Sequence, residues 1–195
     1  MGMNRGMLSL VTQMKLPKFS YCISDSDGSG VLVLGDGGSG GVGPLQYTPL
    51  VSSSAPHFDR VAYTVQLEGI KVSEKVLQLP KSVFVPDHTG AGQTMVDSGT
   101  QFTYLMGSVY GALKGEFVEQ TKGVLRRVED PNFVFEGALD LCYRSPVNMA
   151  AVTAVTLVFE GAEMTVSGER VLYRVRMGSE WVYCFTFGNA DLLGL

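Results

Sequence analysis

The sequence predicts an all-β molecule, β-rich with a few short helices, and three observations carry that expectation. Of its 195 residues 24 are Gly and 8 are Pro, which makes turns frequent. Its apolar runs are short, rich in Val and Thr, and alternate with polar residues at the period of a half-buried strand. Stretches with the charge and spacing of long surface helices are few. A hydrophobic content of 45% suffices for a buried core in one ordinary domain, or one and a fraction.

In chain order, Leu8, Leu10, Val11 and Met14 form a short helical stripe that stops at Pro17. Phe19 to Ile23 alternates as a strand, residues Ser24 to Gly30 spell a turn, and Val31 to Leu34 reads as a buried strand. Gly35-Asp36-Gly37-Gly38-Ser39-Gly40 matches the dinucleotide pattern G-x-G-x-x-G, but Gly41-Val42-Gly43-Pro44 cannot open the helix that must face a pyrophosphate, so this is a loop. The Asp25-Ser26-Asp27-Gly28 run lacks the closing Glu of a calcium loop. Tyr63 to Val72 alternates, with Val65 and Leu67 on one face, Thr64, Gln66 and Glu68 on the other, and Gly69 marking a bulge or turn. Short strands are expected at 76–79 and 83–85, and 86–92 is loop.

Farther on, Ser108 is expected to cap a helix whose buried face is Val109, Leu113 and Phe117, with Tyr110 and Val118 beside it. Gly111 and Gly115 weaken that helix, so packing must hold it. Glu129-Asp130-Pro131-Asn132 is loop, and strands follow at 155–159, 164–166, 171–175 and 181–187.

Composition removes several function classes. The 15 Lys and Arg are scattered among 19 Asp and Glu for a net charge of −4, which leaves neither a nucleic-acid footprint nor a polybasic membrane patch. No apolar run approaches the ~18 residues of a membrane-spanning helix. His57 and His88, the only histidines, have no Cys, His or carboxylate partner at ligand spacing, so no metal or cofactor is expected. The amino terminus carries one positive charge before Ser9, Thr12 and Gln13 interrupt its apolar residues, and does not read as a signal peptide. Three cysteines, Cys22, Cys142 and Cys184, leave one over in any pairing: a missing partner in a secreted protein, or three buried thiols in a cytosolic one.

The stretch most suggestive of chemistry is Met95-Val96-Asp97-Ser98-Gly99-Thr100-Gln101-Phe102-Thr103-Tyr104-Leu105. Apolar strand residues lead into and out of an Asp-Ser-Gly turn, which delivers a carboxylate on a tight loop. Gly99 can direct its N–H, and its neighbours Ser98 and Thr100 their hydroxyls, at a partly desolvated Asp97.

This block resembles the second active-site loop of the pepsin family of aspartic proteases, in the form of the plant nepenthesin-like enzymes. Other blocks fall in the family's order: Gly6 to Gln13, Pro17 to Cys22, Gly30 to Asp36, Tyr47 to Leu50, Leu139 to Tyr143 and Val155 to Ala162. The resemblance implies a pepsin-like acid protease lobe and an aspartic endopeptidase acting on polypeptides without a cofactor. Asp97 is then the catalytic residue, with Ser98, Gly99 and Thr100 as its supporting loop. It further implies a Cys142–Cys184 disulfide with Cys22 left free, and a place in the secretory pathway or outside the cell.

Enzymes of that family have two similar lobes, each lending one Asp, and this sequence holds one such loop. The expected division is therefore 1–24 as the tail of the amino-terminal lobe and interlobe segment, and 25–195 as a carboxyl-terminal lobe truncated at its end. Leu192-Leu193-Gly194 has the pattern of the segment that backs the catalytic loop, but follows Cys184 too closely to be it. Activity is expected to need an amino-terminal lobe or a second copy, and the isolated chain to be inactive. The competing reading is a non-catalytic binding module like the plant xylanase-inhibitor relatives of the fold, for which an intact Asp97 loop has no use.

Overall fold

The computed structural model describes residues 2–23, 29–36, 44–52, 61–88, 90–130, 132–144 and 148–194. The turn at 24–28, most of the Gly-rich loop at 37–43, and His57, Thr89 and Pro131 lie outside these residues. Among the described residues, helices α1 (Leu10–Gln13), α2 (Gly107–Thr121) and α3 (Gly168–Val171) accompany strands arranged as five small sheets. The fold is thus mostly strand, as its short alternating runs require.

Strands β1 (Phe19–Cys22) and β2 (Val31–Leu34) pair antiparallel across the 24/25 position. β3 (Tyr63–Val65) pairs antiparallel with β6 (Thr94–Val96). β4 (Leu67–Val72), β5 (Lys75–Val76), β9 (Val155–Phe159) and β10 (Ala162–Val166) form a sheet in the order β10-β9-β4-β5. β11 (Leu172–Met177), β12 (Glu180–Phe185) and β8 (Cys142–Arg144) form another in that order. β7 (Thr103–Leu105) and β13 (Phe187–Asn189) run parallel.

The period of two in the three-stranded sheet sorts its side chains into two cores. Leu172, Phe185 and Tyr143 face one way and join Leu113 and Phe117 of α2 with Ile70, Val72 and Val155 of the four-stranded sheet. Val175, Val182, Cys142 and Cys184 face the other way and meet Phe102, Val128 and Leu139. Phe117 is fully buried, its ring 4.3 Å from that of Phe185. Burial of one such side chain contributes roughly 1.5–3 kcal/mol, which holds α2 in place despite Gly111 and Gly115.

Several local expectations give way to tertiary contacts. The run 63–72 divides at Gln66, whose amide donates to Leu67 O at 2.7 Å and Phe84 O at 2.8 Å, so its halves join different sheets. Thr64 and Val65, which alternate along β3, are both buried, so neither face of this strand is the polar, exposed one. Gly69 does mark a bulge, where the β4–β9 register shifts. Residues 83–85 are not a strand: Pro80 starts a single 3₁₀ turn over Lys81–Phe84, with Val83 N donating to Pro80 O. β2 is a strand but an exposed one, because β1 is its partner and neither core cluster includes its residues. The last run breaks at Thr186, whose N–H reaches Val171 O while its own carbonyl accepts from Thr103 N.

Candidate active site

Asp97 leaves the end of β6 and enters a hydrogen-bonded turn closed by Thr100 N and Asp97 O at 3.2 Å. Its carboxylate accepts the Gly99 N–H on Oδ1 at 2.9 Å and the Thr100 hydroxyl on Oδ2 at 2.6 Å. Both donors favour the charged form: the Thr100 hydroxyl foremost, then the Gly99 N–H, hold the Asp97 carboxyl below the ordinary aspartate value against a slight upward pull of burial. The Ser98 hydroxyl makes neither of these bonds.

Two legs hold this turn. On the way in, β6 pairs with β3, and Gln93 Nε2 donates to Thr64 Oγ1 at 2.6 Å. On the way out, Phe102 is buried edge-on to Phe135 at 6.1 Å and to Tyr173 at 5.3 Å. β7 then lies parallel to β13, where a Cβ on Gly188 would stand 2.9 Å from Leu139 Cδ2 and 3.1 Å from Tyr104 Cδ1. Glycine at 188 is what allows that approach.

The incoming leg is apolar but not buried. Met95 is 46% and Val96 49% exposed, and Asp97, Ser98, Gly99 and Thr100 are all exposed. Among the described residues β6 pairs with β3 alone, and neither core cluster includes it. Asp97 therefore stands as a solvent-facing carboxylate whose orientation comes from its own turn.

Ser108 does not cap α2. The cap comes from the far end of the chain, where Asp191 Oδ1 accepts the Gly107 N–H at 3.1 Å. A second cluster also escaped the sequence reading. Tyr110 donates to Asp140 Oδ1, and Lys114 Nζ stands 2.6 Å from Asp140 Oδ2. Burial foremost, with the Asp140 bond adding to it, raises the Tyr110 phenol far above its ordinary value. For Asp140 burial is the largest single influence and pulls upward, but the Lys114 and Tyr110 bonds together outweigh it and leave the carboxyl below its usual range. Their spacing at i and i+4 on one helix face was the available signal.

Cys142 and Cys184 are disulfide-bonded across the paired strands β8 and β12, and Cys22 is free and exposed. His88 is exposed. Among the described residues no three His, Cys, Asp or Glu side chains gather as a metal site, and no helix is long and apolar enough to cross a membrane.

Residues 62–193 match the family described as xylanase inhibitor C-terminal. The chain is 59% identical to aspartic proteinase PCS1 of Arabidopsis thaliana, over 100% of this chain and 46% of that protein. It is 29% identical to aspartic proteinase nepenthesin-2 of Nepenthes gracilis, over 100% of this chain and 42% of that protein. The chain thus spans less than half the length of these curated relatives. Among solved structures, edgp superposes with a TM-score of 0.70 at 19% identity, over 96% of this chain and 50% of that one. Conglutin gamma, a basic 7S globulin from lupine seeds, does so with a TM-score of 0.63 at 20% identity, over 93% of this chain and 45% of that one. These two likenesses show the fold. The match over most of the chain, with relatives that are aspartic proteinases, gives its family: the chain belongs to the plant pepsin-like aspartic proteases, as a carboxyl-terminal region.

Proposed function

We propose that this chain contributes Asp97 as one of the two catalytic carboxylates of an aspartic endopeptidase. The observation that carries the reading is the Asp97-Ser98-Gly99-Thr100 turn, in which Gly99 N–H and Thr100 Oγ1 each hold one oxygen of an exposed carboxylate. Peptide hydrolysis by this route needs two carboxylates sharing a proton, one taking a proton from water while the other donates to the peptide carbonyl. A carboxyl held ionised by two donors suits the basic partner. Asp97 then draws a proton from the attacking water, and the second carboxyl protonates the substrate oxygen.

The second carboxylate comes from an amino-terminal lobe or from a second copy of the chain. Residues 1–24 belong with that lobe and the interlobe segment, 25–195 with the carboxyl-terminal lobe. The substrate is a polypeptide, and the secretory pathway is the compartment in which the Cys142–Cys184 bond persists. A binding role without catalysis is the alternative that the xylanase-inhibitor family description brings. The two donors on Asp97 favour catalysis, since a binder gains nothing from an oriented, exposed acid.

An acid-pH peptidase assay separates these readings. The 195-residue chain alone is expected to be inactive, and to gain activity when joined to an amino-terminal lobe bearing its own Asp. Asp97→Asn is expected to abolish that activity. Activity of the chain alone that disappears with Asp97→Asn assigns the second carboxylate to another copy. Peptidase activity that persists in Asp97→Asn, or its absence from the joined protein, overturns the assignment.

A further inference from the structure

β11 is an outer strand of its sheet: one edge pairs with β12, and among the described residues the other pairs with no strand. Register decides which backbone groups face that open edge. The turn Gly178-Ser179 joins the paired residues Met177 and Glu180, and Thr186 N–H reaches Val171 O at 2.9 Å. Both ends agree that Val171, Tyr173, Val175 and Met177 turn their backbone groups toward β12. Leu172, Arg174 and Arg176 therefore turn theirs outward.

The same alternation puts the Arg174 and Arg176 side chains on one face, together with Trp181, the cross-strand partner of Arg176. The Arg174 guanidinium stands 4.2 Å and that of Arg176 5.7 Å from the Trp181 ring centroid, and all three residues are exposed. Among the described residues neither guanidinium has a carboxylate partner; Arg176 Nε donates to Gly178 O at 3.2 Å. Glu180, the acid of this hairpin, lies on the opposite face and is taken by Arg144 at 2.7 Å. In a chain of net charge −4, these two unpaired cations sit directly beside an open row of backbone donors and acceptors.

We propose that the open edge of β11 docks an extended acidic segment of a partner polypeptide, which adds as a fourth strand with carboxylates at alternate positions facing Arg174 and Arg176. Alternate residues of a strand stand roughly 6.6 Å apart on either side of the pairing, so two carboxylates and two guanidiniums come into step. A guanidinium fork donates two parallel hydrogen bonds to a carboxylate. The Trp181 ring already restrains both forks, which reduces the ordering cost of binding. Backbone pairing then supplies affinity and side-chain alternation supplies selectivity. Two cations on the edge also oppose pairing with β11 of a second copy, so the partner is a different chain. A polyanionic sugar would satisfy the charges but leave the backbone row unpaired.

The test uses the 195-residue chain and fluorescein-labelled peptides read by anisotropy. An alternating Val–Glu decapeptide is expected to bind at least about tenfold more tightly than the same residues with Glu in one block, or than the alternating peptide N-methylated along its pairing edge. Arg174→Gln/Arg176→Gln, checked for native circular dichroism, is expected to lose about tenfold or more. Arg174→Glu/Arg176→Glu is expected to take up the alternating Val–Lys peptide instead. Equal binding of the blocked or N-methylated peptide, polygalacturonate displacing the probe as well as the unlabelled peptide does, or affinity unchanged in both variants would each overturn the proposal.

Discussion

Asp97 is an ionised acid by local design: two donors within three residues select its charged form before any partner lobe is considered. Because its folded pKa lies below the unfolded value of about 3.9, whatever stability this charge contributes is present above that pH and is lost as pH falls through the folded pKa. The group is exposed, so its stability contribution is small and the informative readout is the titration itself. Carbon-detected NMR of the Asp97 carboxyl is expected to give a midpoint below the ordinary aspartate value. Thr100→Val, which removes the larger cause, is expected to move it upward, while Thr100→Ser keeps it low. Identical midpoints in the parent and Thr100→Val would show that the hydroxyl does not tune the acid. In a completed dyad the same bias decides which carboxyl stays charged when the pair shares one proton.

At the scale of elements, α2 depends on a residue 84 positions away. Asp191 caps it through Gly107 N, and Asn189 Oδ1 in turn accepts the Asp191 N–H at 3.0 Å. A Cβ on residue 107 would stand 2.1 Å from Asp191 Oδ2, so the glycine makes room for its own cap. Asp191→Ala is expected to cost about 1 kcal/mol, the usual worth of an N-cap together with a favourable charge at the helix start. Gly107→Ala alone is expected to destabilise by displacing the carboxylate, and in the Asp191→Ala background to be neutral or stabilising, since Ala is the better helix former. Urea unfolding of the four proteins gives the coupling; additive costs would mean that the carboxylate does not cap.

The same helix shows how far a sequence can be read. Its buried face of Val109, Leu113 and Phe117 was legible because the helical period is written locally. Its cap was not, because Asp191 is brought to Gly107 by the long-range pairing of β13 with β7. Likewise the Asp-Ser-Gly turn was legible from adjacent residues, whereas the exposure of Met95 and Val96 depends on which strands lie alongside. The alternation over 63–72 misled for a similar reason: Gln66 reaches Phe84 and cuts one apparent strand in two.

For the whole molecule, the consequence is an uneven surface. Both core clusters lie on the two faces of the β11-β12-β8 sheet, while the β1–β2 ribbon pairs with no further strand among the described residues. That ribbon exposes Tyr21, Val31, Leu32 and Leu34, and an edge contact between Phe19 and Tyr63, with ring centroids 5.8 Å apart, links it to β3. Two-stranded ribbons are marginal alone, and contiguous exposed apolar surface marks an interaction site or an aggregation hazard. The 195-residue chain on its own is therefore expected to enhance and blue-shift the fluorescence of anilinonaphthalene sulfonate, and to grow in apparent mass with concentration in light scattering. Val31→Thr/Leu32→Thr keeps strand propensity while removing apolar surface from the ribbon, and is expected to reduce both signals with little change in the unfolding transition. The contrasting outcome is a chain that stays monomeric at all concentrations and takes up no dye, which would mean that these side chains are covered in solution. Dye uptake unchanged by the double substitution would place the sticky surface elsewhere, with the exposed Met95 and Val96 of the Asp97 leg as the next residues to change.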